Sequence, residues 1–132
     1  MAQGPVDLLK RVPIFQGLDD RELQRIGGSM KQRTFRAGET VTTEGQGGVG
    51  FFVIEDGEAR VTVHGEDRRR LGAGDYFGEV ALLTDSPRTA TITAESDLRC
   101  YGMTAWDFKP LVETNGSIAW KLLQAMAKNY SG

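Results

Sequence analysis

The stretch Asp75–Ala94, DYFGEVALLTDSPRTATITA, decides how the rest of the chain is read. Asp75-Tyr76-Phe77 is strand-like, Gly78 interrupts it, and Glu79-Val80-Ala81-Leu82-Leu83 has the make-up of one helical turn. A polar link, Thr84-Asp85-Ser86, leads to Pro87-Arg88, after which Thr89–Thr93 alternates as a strand does. Glycine at a strand-to-helix junction lets the backbone approach a ligand closely, and the start of a helix presents unpaired N–H groups that favour an anion. Arg88 supplies a planar, permanently charged fork suited to phosphate. Glu79 can accept hydrogen bonds from hydroxyls such as those of a sugar. Phosphate and sugar together imply a nucleotide.

Working outward, 132 residues suffice for one domain with a real core and no need of disulfides. Seventeen glycines fit many short strands joined by tight turns, as in a small β-barrel or sandwich. The lone Cys100 cannot pair within the chain and gives no sign of an oxidising compartment. Met1–Leu9 lacks the pattern of a signal peptide and no apolar run approaches membrane-spanning length, so the expected location is cytoplasmic. The net charge of −2 argues against bulk electrostatic binding of nucleic acid. Residues 1–36 carry seven Lys/Arg against four Asp/Glu, whereas residues 37–132 carry nine against fourteen. In that acidic part a phosphate has to be held by local geometry, which favours a small enclosed ligand.

Around this stretch the elements follow in order. Val6–Arg11 predicts a short helix ended near Pro13, and Asp19 with Glu22 predicts a capping box for a second helix carrying Leu23, Ile26 and Met30. Thr34–Arg36 and Thr40–Thr43 predict strands around a turn at Ala37-Gly38-Glu39. Gly45–Gly50 satisfies the dinucleotide fingerprint G-x-G-x-x-G, but Phe51-Phe52-Val53-Ile54 behind it reads as strand, where that fingerprint needs a helix. Asp56-Gly57 carries the strongest hairpin signal. Ala59, Val61 and Val63 then alternate with polar residues, Gly65-Glu66-Asp67 predicts a turn, and Arg68-Arg69-Arg70 predicts a solvated edge strand. Leu98–Met103 predicts a last strand with Cys100 buried in it. Thr104 and Asp107 predict the cap of a helix bearing Trp106, Phe108, Leu111 and Val112; Ser117 predicts the cap of a final helix with Ile118, Leu122, Ala125 and Met126 along one side.

Catalytic chemistry finds little to work with. Nucleophilic catalysis wants a base beside the nucleophile, and the single His64 sits on the polar phase of a strand near a turn. A metal-dependent barrel enzyme wants two or three histidines and a carboxylate. Asp19-Asp20 and Glu55-Asp56 lie in capping or turn contexts. No enzyme activity, metal or cofactor is expected.

Phe77-Gly78-Glu79-Val80-Ala81-Leu82 and Pro87-Arg88-Thr89-Ala90-Thr91-Ile92-Thr93-Ala94 resemble the phosphate-binding cassette of the cyclic nucleotide-binding domain family, shared by cAMP-dependent kinase regulatory subunits, catabolite-activator regulators and cyclic-nucleotide-gated channels. The resemblance implies an α+β, mainly β fold: an eight-stranded β-roll, a jelly-roll barrel, flanked by helices. It implies a single domain over 1–132, with N-terminal helices in 1–31, the roll in 32–103 with the cassette at 75–94, and C-terminal helices in 104–132. It implies a ligand site on Gly78, Glu79, Val80, Ala81, Pro87, Arg88, Thr89 and Ala90, with Arg88 on the phosphate and Glu79 on the ribose 2′-hydroxyl. Backbone N–H groups at Ala81 and Thr89 would also meet the phosphate, while Phe77, Leu82 and Ile92 are expected in the core. The expected ligand is cAMP, with cGMP the alternative because a threonine after the arginine reads guanine in some members; a ligand-free interaction module is a third reading. Trp120 and Tyr130 are candidates to cap the base, packing being the expected job of Trp120. Expected partners are the small cyclic nucleotide and either an effector domain outside the chain or a second copy docked through the last helix, with no nucleic acid or membrane contact.

Overall fold

The structure is a computed structural model that describes residues 4–43, 45, 50–83 and 89–130, apart from the side chains of Val80, Ala81, Asn129 and Tyr130. Helices α1 (Pro5–Leu9) and α2 (Asp20–Gly28) lead into strands β1 (Lys31–Phe35), β2 (Thr40–Thr42), β3 (Phe51–Asp56), β4 (Ala59–Val63), β5 (Glu66–Leu71), β6 (Tyr76–Phe77), β7 (Thr91–Ala94) and β8 (Leu98–Met103). Helices α3 (Ala105–Thr114) and α4 (Gly116–Tyr130) follow. The strands form two antiparallel four-stranded sheets, ordered β1-β8-β3-β6 and β2-β7-β4-β5. This is the eight-stranded roll with helices at both ends that the sequence predicts.

β3 divides the molecule into two cores. Its first four residues are all buried, as expected of a strand covered on both faces. Phe51 and Val53 belong to a cluster with α1, α2, α3 and α4, in which Phe15 meets the edge of Phe51 at 5.7 Å between ring centres and Phe108 at 6.2 Å. Phe52 and Ile54 face the other way, into the roll, among Val61, Leu71, Phe77, Ile92 and Cys100. Full burial of side chains this size contributes about 1.5–3 kcal/mol each.

Local signals place several ends as expected. The Asp19 carboxylate accepts from the Glu22 N–H at 2.8 Å, and the Glu22 carboxylate accepts from the Asp19 N–H at 3.0 Å. Thr104 caps α3, its Oγ1 accepting from the Asp107 N–H at 3.3 Å. Phe51–Asp56 is strand and not helix, and most of the glycine-rich fingerprint before it, residues 46–49, lies outside the described residues.

Three expectations are corrected. Asp56-Gly57 does not make a hairpin: β3 and β4 belong to different sheets, and Gly57, at φ +98°, turns a corner between them. The Glu58 N–H donates to Ser96 Oγ at 2.9 Å and the Glu58 carbonyl accepts from the Glu95 N–H at 2.9 Å, so this corner pairs with residues between β7 and β8. The tight hairpin is His64-Gly65, joining β4 to β5 with both residues at positive φ, as a type I′ turn requires. Ser117 does not cap α4, which already starts at Gly116; its hydroxyl donates to Glu22 Oε2 at 2.7 Å instead. Trp120 is not packed away: it is 63% exposed, and Trp106 is 88% exposed.

Candidate functional site

The cassette begins at β6, which pairs with β3. Phe77 pairs with Phe52 and Tyr76 with Val53, and the Phe52 and Phe77 rings stack at 5.2 Å. The Ile54 N–H donates to the Asp75 carbonyl at 2.8 Å, and the Gly72 N–H donates to Asp75 Oδ2 at 2.8 Å, which closes the turn ahead of β6. Two residues of strand are thus held by aromatic stacking and local hydrogen bonds. Phe52 in turn lies over Gly102, where an added Cβ would sit 2.7 Å from the Phe52 ring.

Gly78 stands at φ +85°, a left-handed conformation that costs an L-residue roughly 1–2 kcal/mol. It redirects the chain into a 3-10 turn, Glu79–Leu82. Leu82 is buried in the helix-side core, and the turn touches both β3 and α3. Glu79 is half-buried, and among the described residues no donor meets its carboxylate. Val80 and Ala81 are described in backbone only, within this turn.

Residues 84–88, including Pro87 and Arg88, lie outside the described residues. The chain is described again at Thr89, which is exposed, and Ala90, which packs against the roll core. β7 then pairs with β4, Ile92 opposite Val61 and Thr91 opposite Thr62. Phe77, Leu82 and Ile92 are all buried, matching their expected role as core. The cassette therefore leaves one sheet at β6 and joins the other at β7. Gly78 and Glu79 directly follow β6, and Thr89 and Ala90 directly precede β7. Chemically, this is an acceptor able to take sugar hydroxyls, beside a short turn whose backbone the glycine leaves accessible.

A second polar centre joins the two helical ends. Glu22 accepts from Lys121 Nζ at 2.7 Å and from Ser117 Oγ at 2.7 Å while still completing the α2 cap. The Lys121 hydrogen bond, with the Asp19 N–H and Ser117, holds the Glu22 carboxyl down at about 2, and the same contact raises Lys121. Asp19, Arg21, Arg25, Asn115 and Ile118 help line a surface cleft of about 460 Å³ around it. Arg25 Nη1 donates to Asn115 Oδ1 at 2.9 Å across the same seam. The capping-box pattern found Glu22, but not its second job, because Lys121 lies 99 residues away.

The sequence also places Glu55 in a turn context. Its side chain is buried on β3, where it takes an ion pair from Arg99 Nε at 2.6 Å and a hydrogen bond from the Tyr101 hydroxyl at 3.1 Å. Burial first, and then Glu55, raises the Tyr101 phenol. This pair ties β3 to β8. Among the described residues no group of three or more His, Cys, Asp or Glu is arranged to hold a metal ion, and no helix is long and apolar enough to cross a membrane.

Residues 32–115 match the family profile of the cyclic nucleotide-binding domain. The chain is 44% identical over 93 residues to a cAMP-dependent protein kinase regulatory subunit of Yarrowia lipolytica, covering 69% of this chain and 25% of that protein. It spans a quarter or less of the length of the curated relatives it matches. Among solved structures, the N-terminal domain of a transcriptional regulator from Streptomyces coelicolor A3(2) superposes with a TM-score of 0.87 at 28% identity, covering 95% of this chain and 91% of that one. The structure of cAMP-bound PfPKA-R (141–441) superposes with a TM-score of 0.72 at 28% identity, covering 93% of this chain and 45% of that one.

Proposed function

Because the chain belongs to the cyclic nucleotide-binding domain family, we propose that it is a regulatory module, not an enzyme, that binds cAMP in preference to cGMP and changes conformation when it does. The observation that carries this is the turn at Gly78–Leu82: a left-handed glycine, then a half-buried carboxylate that no donor meets among the described residues. Glu79 accepts the ribose 2′-hydroxyl, and Arg88 with the N–H groups of Ala81 and Thr89 holds the cyclic phosphate. Gly78, Val80, Pro87 and Ala90 shape the backbone around it. The phosphate bears one negative charge, so one guanidinium and a helical-turn start are sufficient compensation.

The route from site to helices runs through Leu82, which shares a core with Phe108, Ile118 and Leu122. An inward shift of the cassette repacks that core and moves α3 and α4 against α1 and α2. A ligand drives this only if it binds the closed arrangement better than the open one. The controlled output belongs to an effector outside these residues, in keeping with the greater length of the matched regulatory subunits.

cGMP is the second reading, favoured by Thr89, which is exposed where the chain returns to the roll. Thermal melts with either nucleotide test both. A ligand at about 100 times its dissociation constant adds ~2.7 kcal/mol of stability. Stabilisation by cAMP at lower concentration than by cGMP is the expected result. A melting temperature unmoved by millimolar amounts of either would overturn the proposal.

A further inference from the structure

Glu79 sits two residues beyond a strand that has little of its own to hold it. β6 lies at the edge of its sheet and pairs with β3 alone, through Tyr76 opposite Val53 and Phe77 opposite Phe52. Gly78 follows at φ +85° and adds no side chain to the anchorage. Beyond Glu79 the next buried side chain described is Leu82, in the helix-side core. On the strand side the anchor is the ring of Phe77, and that ring rests on Phe52.

Phe52 is held from three directions. Phe77 stacks on it at 5.2 Å between ring centres, with 25° between the planes. Phe35 meets it edge-on at 6.3 Å and 76°. Gly102 stands opposite it on β8, where an added Cβ would come within 2.7 Å and 2.9 Å of two ring atoms, so the ring lies on bare backbone. A cross-strand aromatic that covers a glycine is one way a sheet pins its register. Leu82 belongs to the core that repacks in the proposed switch, whereas Phe35, Phe52 and Gly102 stand on strands of the roll. Phe52 is therefore the stationary end of the cassette turn.

We infer that Phe52 is a positioning residue: seated on Gly102 and stacked on Phe77, it fixes the point from which Gly78 turns, and so where the Glu79 carboxylate meets the ribose 2′-hydroxyl. The inference rests on the proposed nucleotide site. Leucine at this position still fills much of the core but cannot stack, and Phe77 then settles toward the vacated space and takes Gly78 with it. Hydrogen bonds weaken steeply as their geometry departs from the preferred range. The loss falls on the 2′-hydroxyl, because the phosphate is held by Arg88 on the far arm of the cassette.

The test is calorimetric titration of the full chain and its variants with cAMP and 2′-deoxy-cAMP, at a temperature where melting curves show each variant folded. The ratio of the two dissociation constants reads the 2′-hydroxyl alone. Wild type should favour cAMP on the order of 10- to 100-fold, the worth of a hydrogen bond to a charged group. Phe52→Leu should cut that ratio by about 5-fold or more. Gly102→Ala, which presses the ring from its other side, should cut it in the same direction, and decides the matter if Phe52→Leu does not fold. Ile54→Val, a smaller side chain in the same core opposite Cys100, should leave the ratio in place. Phe52→Leu combined with Glu79→Ala should show the ratio of Glu79→Ala alone, since two residues acting through one contact are not additive. A merely structural Phe52 would weaken both nucleotides alike; an unmoved ratio in Phe52→Leu, or an equal fall in Ile54→Val, would overturn the inference and leave the nucleotide site standing. Wild-type protein that binds no nucleotide would overturn the proposed function as well, which separates the two failures.

Discussion

Replacing Glu22 by Gln removes one charge and almost no shape. The amide oxygen of glutamine can still accept from the Asp19 N–H, as a capping box allows, and its NH2 can donate to the Ser117 hydroxyl; what it loses is the ionic contact with Lys121 at 2.7 Å. Lowering of the Glu22 carboxyl from the usual 4.5 to about 2 would correspond to about 3 kcal/mol if none of it were screened. The side chains of Glu22 and Lys121 are 12% and 32% exposed, so solvent screening reduces this to roughly 1–2 kcal/mol. For a chain of this size that is a drop in melting temperature of about 3–6 °C. The sign with pH follows from the depressed carboxyl: the contribution is fully present above the unfolded-state value of 4.5 and fades as the pH falls through it toward 2. Lys121, held above 10.5, leaves the contribution intact up to that range and loses it only beyond. Melting curves of wild type and Glu22→Gln from pH 3 to pH 9 should therefore show a gap that is constant from about pH 6 upward and narrows in acid. A gap absent at pH 7, or equally wide at pH 3, would refute the ionic seam between α2 and α4.

Arg88→Ala should weaken cyclic nucleotide binding by about 2–5 kcal/mol, because it leaves an enclosed phosphate charge unpaired; titration calorimetry would show unchanged affinity if Arg88 has another role. Glu79→Ala should weaken cAMP but spare its 2′-deoxy analogue, and equal losses for both would remove the ribose assignment. Gly102→Val should destabilise the fold by about 1–3 kcal/mol in urea unfolding, since its Cβ would press on the Phe52 ring, which already stacks on Phe77. Cys100 is fully buried and its thiol is pushed up to about 12 by burial. A thiol reagent at pH 8 should leave it unmodified in native protein and label it in denaturant; fast native labelling would mean that the roll opens readily.

Much of this molecule was legible one stretch at a time. The capping box at Asp19 and the helix cap at Thr104 are set by atoms three residues apart, so a local pattern suffices to find them. The last strand, Leu98–Met103, and the buried seam of Ile118, Leu122 and Ala125 follow from side-chain periodicity. The cassette is recognisable for the same reason: a glycine, a carboxylate, a proline and an arginine at fixed spacing within twenty residues. Asp56-Gly57 shows where such reasoning stops. The pair has hairpin chemistry, yet it forms a corner because β3 finds its partners in β8 and β6, far along the chain.

By itself, then, the sequence determined the family, the mainly β class and the helix caps at Asp19 and Thr104. Tertiary structure alone decided that His64-Gly65 makes the hairpin, that Ser117 and Lys121 meet Glu22 across α2 and α4, and that Trp120 stays at the surface. It also decided that Arg69 stands opposite the buried Val61, whereas Arg70 stands opposite Arg60 and pairs with Glu95. The physical reason is common to all four. Turn chemistry and side-chain period act over a few residues, whereas strand partners, bulge positions and helix seams depend on contacts between distant parts of the chain. One extra residue in β5 changes which arginine stands opposite Val61, and nothing within Arg68-Arg69-Arg70 itself distinguishes them.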